Sequence, residues 1–373
     1  MNVQTSIDRS KIELPEKLVS VDSHVFFTDE WVTARLPERL REIYVNANRQ
    51  FKADGVKARG GWEPNINDMF DEVAWSDPGH FDPNEKLKSM DKDGVWSEVI
   101  FPEVGAAKVC SPHYCGDDWK EILSGYNDAM ADFASVDTDR LWTAYQMLPF
   151  DIDWSVKEVE RLAARGARCI QLPPFPSEVG LKDYFDTHYD KLWGACSEIG
   201  ITVLNHLDTN NQYMDLIKRD PTEQRAVALG MPPFQMAETI SLWILPGTLE
   251  RFTKLKVVFV EPGLGWLPFL FDVILDGRII QGHYKFPQLS MLPSEYFKRQ
   301  MGATFMYEPH GLKVAYEYFG PDSLMWSTDF PHPATSWPNS IDHIDKQFTA
   351  ANIHGEDRMK ILGGNGLRLF GGG

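Results

Sequence analysis

Cysteine is scarce in this sequence, and its scarcity argues against a fold held together by disulfides. The 373 residues include four cysteines, Cys110, Cys115, Cys169 and Cys196. Four thiols in a chain of this length do not make a disulfide framework, so a reducing, cytoplasmic location is expected. The spacing of Cys110 and Cys115 fits no zinc knuckle, and Cys169 and Cys196 fall in apolar patterns that predict core positions.

Long apolar runs and clusters of basic residues are missing as well. No stretch is apolar for long enough to cross a bilayer, and the polar residues 1–17 show no signal peptide. The formal net charge is −17, without any Lys/Arg run. Such a chain is poorly suited to bind nucleic acid or an anionic membrane, so a small-molecule substrate is the expected partner.

The sequence does contain a repeated alternation of short apolar runs with amphipathic segments. This alternation predicts right-handed strand–helix–strand units and a parallel sheet. The predicted strands are 18–25, 97–102, 141–148, 168–172, 201–206, 256–261, 303–306 and 324–329. Eight strands suit an α/β fold of the closed (β/α)8 TIM-barrel type, forming a single domain over residues 1–373. The competing fold, a doubly wound open sheet, would be expected to have a Gly-rich phosphate loop after its first strand, and Asp22-Ser23-His24 is not one.

Two segments are too long to be simple connections between a strand and a helix. They span 26–82, after the first strand, and 207–255, after the fifth. Long insertions at the ends of barrel strands build either an active-site wall or subunit contacts, and the sequence leaves both roles open. Five aromatic residues in or near the barrel mouth are candidates for lining an apolar pocket or for packing the loops: Phe26, Phe27, Trp31, Trp62 and Trp337.

Polar residues stand at the C-terminal ends of several predicted strands. The first strand ends in Asp-x-His, and alternate residues of a strand point to the same side, so these two side chains can converge. The polar residues at or just after the ends of predicted strands are Asp22, His24, Glu103, His206, Glu261 and Asp329. Each residue alone has the ordinary alternative of a helix cap or a solvated loop. Together, two imidazoles and four carboxylates match the ligands of one or two first-row transition-metal ions, at the barrel face where active sites lie.

Motifs along nearly the whole chain resemble one known family. They are Asp22-Ser23-His24; Leu87-x-x-Met90-Asp91-x-Asp93-Gly94-Val95; Tyr126-Asn127-Asp128; Tyr189-Asp190-x-Leu192-Trp193; Gly263-x-Gly265-Trp266-Leu267-Pro268; Met325-Trp326-Ser327-Thr328-Asp329-Phe330-Pro331-His332-Pro333; and Ile361-Leu362-Gly363-Gly364-Asn365. In these motifs the sequence resembles the amidohydrolase-related proteins of the metal-dependent hydrolase superfamily. The resemblance implies a divalent metal (Fe, Mn or Zn) on Asp22, His24, His206 and Asp329. It also implies that Asp329 takes a proton from metal-bound water.

The sequence departs from familiar hydrolases of this superfamily at several ligand positions. Asp22 stands where they have His, Glu261 replaces another frequent His, and Gln171 is found where dimetal members have a bridging lysine. The gain of carboxylates is typical of the O2-activating branch, which includes a diterpenoid hydroxylase of platensimycin-type biosynthesis and an isobutyrate monooxygenase. The first hypothesis is therefore a non-heme Fe/Fe or Mn/Fe monooxygenase that uses O2, with Glu103 and Glu261 holding or bridging a second ion.

Two other functions stay open. One is a mononuclear Zn or Mn hydrolase or non-oxidative decarboxylase in which Asp329 acts as general base. The other is a non-catalytic, metal-binding partner subunit. A homo- or hetero-oligomer is expected in each case.

The remaining histidines and polar neighbours divide into candidates and bystanders. His332 is a catalytic candidate, because it lies close to Asp329 in sequence and can orient that carboxylate or bind substrate. Asn205 and Asp208 flank His206 and can support it, while the roles of His113 and His310 stay undecided. Solvated positions are expected for His80, His283, His343 and His354.

Overall fold

The chain folds into a barrel of eight parallel strands that follow one another in chain order. The structure is a computed structural model, and it describes residues 12–64, 72–103, 105–283 and 285–371. The strands are β1 Val19–Val25, β2 Ser97–Pro102, β3 Leu141–Gln146, β4 Cys169–Leu172, β5 Thr202–His206, β6 Lys256–Val260, β7 Met301–Phe305 and β8 Leu324–Trp326. The predicted (β/α)8 TIM barrel is confirmed, although β3 and β8 end earlier than the sequence pattern indicates.

The sheet closes on itself between β8 and β1. The Asp329 amide donates to the carbonyl of Asp22 over 3.0 Å, and the His24 amide donates to the carbonyl of Phe330 over 2.6 Å. The Ser20 hydroxyl accepts from the Thr328 amide over 2.9 Å. The seam is therefore made by the residues just after β8 rather than by the strand itself.

Alternate strand residues fill the inside of the barrel, as the two-residue period of a strand requires. This inner core consists of Val19, Val21, Val99, Phe101, Trp142, Ala144, Cys169, Leu204, Val258, Val260, Met325 and Phe370. The intervening residues pack outward against the helices in a larger core. All four cysteines are buried, and Cys169 and Cys196 lie in the core as predicted.

Helices connect the strands on the outside of the barrel. Between β2 and β5 they are Ala106–Val109, Pro112–Cys115, Trp119–Ala134, Ile152–Ala164 and Asp190–Ile199. After β6 they are Leu267–Phe269, the π-helix Leu270–Asp276, Gly277–Ile280, Pro293–Gln300, Pro309–Phe319, Ser340–Ala351, Gly355–Met359, the π-helix Lys360–Gly364 and Asn365–Phe370. In the described part of the chain, no helix is long and apolar enough to cross a membrane.

The two long insertions are helical rather than irregular. After β1 the described helices are Asp29–Thr33, Glu38–Ala58, Glu72–Ser76 and Pro83–Asp93, and after β5 they are Asn211–Arg219, Ala226–Leu229, Pro232–Ile244 and Thr248–Arg251. Residues 65–71 of the first insertion lie outside the described residues.

Candidate metal centre

Three strand ends bring two carboxylates and two imidazoles together in a buried pocket. Asp22 and His24 lie two residues apart on β1, and their side chains share one face of the strand. His206 is the last residue of β5, and Asp329 follows β8, where its amide bonds to β1. All four side chains are buried.

The distances among these side chains suit a shared cation. The Nε2 atom of His24 lies 3.4 Å from Oδ1 of Asp22 and 3.4 Å from Oδ1 of Asp329. The Nε2 atom of His206 also lies 3.4 Å from Oδ1 of Asp22. Ligands about 2.1 Å from a tetrahedral ion are about 3.4 Å apart, and these three pairs of donor atoms have that spacing.

The hydrogen-bonding pattern also indicates a metal. In both imidazoles Nδ1 hydrogen-bonds to a backbone carbonyl. Nδ1 of His24 lies 3.3 Å from the carbonyl oxygen of Pro102, and Nδ1 of His206 lies 2.8 Å from that of Leu207. This leaves Nε2 of each ring directed into the pocket. Within the described residues, neither these Nε2 atoms nor the carboxylate oxygens of Asp22 have a hydrogen-bond partner. Buried polar atoms without partners cost free energy, and a bound cation would remove that cost.

Glu261 supplies a further carboxylate to the same pocket. Its Oε2 lies 3.8 Å from Nε2 of His206, and it forms a possible ligand group with Asp22 and Asp329. The backbone at Glu261 has φ of 60°, and at Asp329 φ is 54°. Non-glycine residues rarely adopt this left-handed conformation, and such strain is concentrated at functional sites.

The structure does not bring Glu103 into these ligand groups. Glu103 follows the last residue of β2, and its half-exposed carboxylate lies 3.9 Å from Nε2 of His332. On the inner side, Nδ1 of His332 lies 3.0 Å from Oδ1 of Asp329, and its ring stacks on His24 with centroids 3.8 Å apart. His332 thus stands between the buried carboxylate of Asp329 and the outer carboxylate of Glu103.

Electrostatic effects in the pocket run in opposite directions for different groups. Burial acts to raise the pKa of Asp22, but the positive charges of His206 and His24 outweigh it, and the pKa is lowered. Burial acts to lower the pKa of His206, yet the carboxylate of Asp22 raises it to about 9. Burial and the neighbouring Asp329 carboxylate raise the pKa of Glu261 well above its ordinary value. The three carboxylates of the pocket therefore repel one another, and a cation would relieve that repulsion.

The carboxylate of Asp329 and the imidazole of His332 also shift each other's pKa. Burial acts to raise the pKa of Asp329, but the charges of His332 and His24 lower it below its ordinary range. Burial opposes protonation of His332, while Asp329 and then Glu103 raise its pKa well above the ordinary value. Each member of the pair thus favours the charged form of the other.

A buried ion pair lies behind the pocket and was not found from the sequence. The Lys86 ammonium lies 2.8 Å from Oε2 of Glu98 and also donates to the hydroxyl of Ser23, the residue between Asp22 and His24. Both members of the pair are buried. The available signal was Glu98, an acidic residue within a strand whose other residues are mostly apolar.

The other sequence candidates lie further out. Asn205 accepts a hydrogen bond from the indole of Trp243 over 2.7 Å and donates one to the carbonyl of Leu172 over 3.2 Å. It therefore links β5 to β4 and to helix Pro232–Ile244. Asp208 forms an ion pair of 2.6 Å with Lys108. His113 and His310 are both exposed and belong to none of the ligand groups found among the described residues.

The expectation of a solvated His80 was wrong. His80 is buried because its ring stacks on Trp75, with centroids 4.9 Å apart, and meets Phe26 edge-on at 5.4 Å. Phe26 also reaches His332, with centroids 6.3 Å apart, so it borders the site. The other four candidate aromatics pack in clusters with other side chains: Phe27, Trp31, Trp62 and Trp337.

Buried carboxylates and imidazoles at the carboxyl ends of a parallel (β/α)8 barrel define the class of metal-dependent barrel enzymes. The amidohydrolase family profile matches residues 21–372, and the chain belongs to this family. The predicted superfamily is therefore confirmed.

Several solved structures are similar over nearly their full length. The 5-carboxyvanillate decarboxylase LigW from Sphingomonas paucimobilis is 20% identical, with a TM-score of 0.71, over 95% of this chain and 98% of that one. The 2,6-dihydroxybenzoate decarboxylase from Rhizobium is 18% identical, with a TM-score of 0.63, over 95% of this chain and 98% of that one. A dihydroxybenzoic acid decarboxylase from Polaromonas sp. JS666 is 16% identical, with a TM-score of 0.64, over 95% of this chain and 96% of that one. Its structure contains bound manganese and the inhibitor 2-nitroresorcinol. These similarities show the same fold, and none of the three supports the oxygenase branch.

Proposed function

We propose that this protein is a metal-dependent, non-oxidative decarboxylase that acts on an aromatic carboxylic acid. The observation that carries the proposal is the convergence of Asp22, His24, His206 and Asp329, in which three pairs of donor atoms lie 3.4 Å apart. Three structurally similar proteins are decarboxylases of hydroxylated aromatic acids, which supports the choice of reaction.

The four residues Asp22, His24, His206 and Asp329 would hold the ion. Two carboxylates with two imidazoles suit Mn²⁺ or Zn²⁺, and bound manganese in a similar structure favours Mn²⁺. When bound, a divalent ion supplies a Lewis acid that fixes and polarises the oxygen atoms of an acidic substrate.

Proton delivery falls to Asp329 and His332. In decarboxylation the bond between the ring carbon and the carboxylate breaks, CO2 leaves, and the ring carbon takes one proton. Asp329 reaches into the pocket, and its Oδ1 lies 3.0 Å from Nδ1 of His332. His332 holds a proton at that position, and Glu103, 3.9 Å beyond and half-exposed, connects His332 to solvent.

Phe26 and the stacked pair of rings behind it, buried His80 and half-buried Trp75, cover one side of His332. His80 and Trp75 stack with centroids 4.9 Å apart and hold Phe26 against His332. An apolar wall of this kind suits an aromatic ring better than a charged or sugar-like substrate.

A dinuclear monooxygenase remains the second candidate because of one observation. Glu261 forms a second possible ligand group with Asp22 and Asp329, which offers carboxylates for another ion. The two functions differ in metal stoichiometry and in their need for O2.

Anaerobic assays separate the candidates. Purified protein loaded with Mn²⁺ is incubated with a panel of hydroxybenzoates and ascorbate as electron donor, under argon and under air, and CO2 release, O2 consumption and metal content are measured. We expect one ion per chain, equal turnover in both atmospheres, and loss of turnover after chelation that added Mn²⁺ restores. Two ions per chain with turnover only in air would contradict the decarboxylase and support the monooxygenase.

The same assay tests the remaining possibility of a non-catalytic partner subunit. Turnover by this chain alone would exclude that role. Light scattering on the same sample tests the proposed oligomer, which a monomeric mass would contradict.

A further inference from the structure

A cavity lies at the end of the barrel opposite the candidate metal centre. Its volume is about 250 Å³, and it lies below the inner core at the N-terminal ends of β6, β7 and β8. Lys256 is the first residue of β6, and Glu261 directly follows its last residue. The rise along a strand places these two positions roughly 16 Å apart, so the cavity is separate from the metal centre.

The walls of this cavity carry an excess of positive charge. Its basic residues are Lys256, Lys298, Arg299 and Arg368, and the acidic residue that lines it is Asp322. The carboxylate of Asp322 lies 3.4 Å from the ammonium of Lys360, a residue outside the lining. This concentration of cations is unexpected in a chain whose net charge is −17.

The cations at the cavity are not neutralised by the protein. The Lys256 ammonium donates to the carbonyl of Arg299 over 2.7 Å, and within the described residues it makes no ion pair. Arg368 donates to the carbonyl of Asp322 over 3.1 Å and to Oδ1 of Asn365 over 3.2 Å. Both side chains therefore use neutral acceptors and keep their full positive charge.

An ordinary structural role explains only part of the cluster. Lys298 and Arg299 lie in the last turn of helix Pro293–Gln300, where cations interact favourably with the helix dipole. Arg368 lies in the last turn of helix Asn365–Phe370, so the same role applies to it, whereas Lys256 is the first residue of strand β6 and has no such role. Burial lowers the pKa of Lys256, and the neighbouring charges of Arg368 and Arg299 lower it further.

We propose that this cavity binds a small multivalent oxyanion of the phosphate class. A phosphate group offers several acceptor oxygens to the basic side chains that line the cavity, and about 250 Å³ is ample for it. Binding would remove the repulsion among Lys256, Arg299 and Arg368 and join β6 to helix Asn365–Phe370. The site is independent of the proposed reaction.

Calorimetric titration with inorganic phosphate tests this site. The metal-loaded protein, freed of excess metal, is titrated at constant ionic strength set with KCl. Lys256→Met and Lys298→Met remove one cavity cation each, and Lys298 is exposed, so its replacement does not disturb the core. Lys313→Met is the matched control, because it removes the same charge from an exposed position on helix Pro309–Phe319.

We expect saturable binding by the wild type and by Lys313→Met, and at least tenfold weaker binding by both cavity variants. If Lys256→Met fails to fold, Lys298→Met decides the question. Absence of saturable binding by the wild type would overturn the proposal. So would unchanged affinity in the cavity variants, because phosphate would then bind elsewhere, for example at the metal centre.

Discussion

Single side chains determine whether the pocket can hold an ion. His206 presents Nε2 to the pocket because its Nδ1 contacts the carbonyl of Leu207, and no other histidine lies on β5. Asp22 contributes a carboxylate whose oxygens have no hydrogen-bond partner among the described residues. Removal of either side chain takes away a ligand that nothing nearby in the strand can replace.

We expect His206→Ala to retain less than a tenth of the wild-type metal content after dialysis, because the coordination shell loses one of its two imidazoles. Elemental analysis by mass spectrometry measures this. His113→Ala is the control, since His113 is exposed and lies outside the ligand groups, and it should keep full metal content. Full occupancy in His206→Ala would contradict the assignment.

The buried ion pair behind the pocket makes a second prediction for single residues. Lys86→Met leaves the Glu98 carboxylate buried without its cation, which should cost about 3–5 kcal/mol of unfolding free energy. Lys88→Met, on the exposed side of the same helix, should change stability by less than about 0.5 kcal/mol. Urea denaturation measures both.

A second variant distinguishes loss of the pair from loss of packing. In Lys86→Met with Glu98→Gln, the uncompensated charge is gone, so part of the stability should return. Equal stability of Lys86→Met and Lys88→Met would show that the buried pair contributes nothing.

At the scale of secondary-structure elements, the C-terminal helix Asn365–Phe370 closes the lower end of the barrel. Phe370 belongs to the inner core, and the helix lies against β1 at Gly366. A Cβ atom at Gly366 would lie 2.6 Å from Cγ1 of Val19 and 3.3 Å from Cγ2 of Val21. This close approach requires glycine, because a Cβ atom at position 366 would overlap with Val19. The same strand, β1, carries Asp22 and His24.

We therefore expect Gly366→Ala to destabilise the protein by about 1–3 kcal/mol through overpacking. Gly364→Ala is a matched control two residues earlier in the sequence, where the nearest atom would lie 3.7 Å from the new Cβ. That variant should be neutral or more stable by about 0.4–1 kcal/mol. Thermal melts compare the two, and equal melting temperatures would contradict the close approach.

The elements differ in how well the sequence predicts them. The alternation of apolar strands and amphipathic helices predicts all eight strands, because each strand has both faces buried. The end of β8 was not predictable from the pattern, since Ser327-Thr328-Asp329 leaves the strand and bonds across the seam to β1. Hydrophobic periodicity reports burial, and these residues are buried as well.

The sequence predicts that Asp22, His24 and His206 converge, and the structure brings them together because all three lie within strands of one barrel. Glu103 shows the limit, because the sequence places it at a strand end without giving the direction of its side chain. His80 was missed for a similar reason: its burial depends on Trp75 and Phe26, which belong to different segments. Contacts between distant segments leave no local signal in a single sequence.

At the scale of the whole molecule, the strands and their helices share continuous cores. The larger core includes residues from the first insertion through helix Gly355–Met359 and its π-helical extension. We propose that the chain unfolds as one domain, and we expect a single calorimetric transition with equal calorimetric and van't Hoff enthalpies. Two resolved transitions would contradict a single domain, and the metal-loaded and chelated proteins should each be measured.

The seam between β8 and β1 also sets when the protein can acquire its ion. Asp22 and Asp329 meet there through a backbone hydrogen bond, although seven strands separate Asp22 from the end of β8 in the sequence. A ribosome must therefore add every residue from Asp22 to Asp329 before the proposed ligand set exists. We expect metal loading to follow closure of this seam, so that an occupied centre marks a closed barrel.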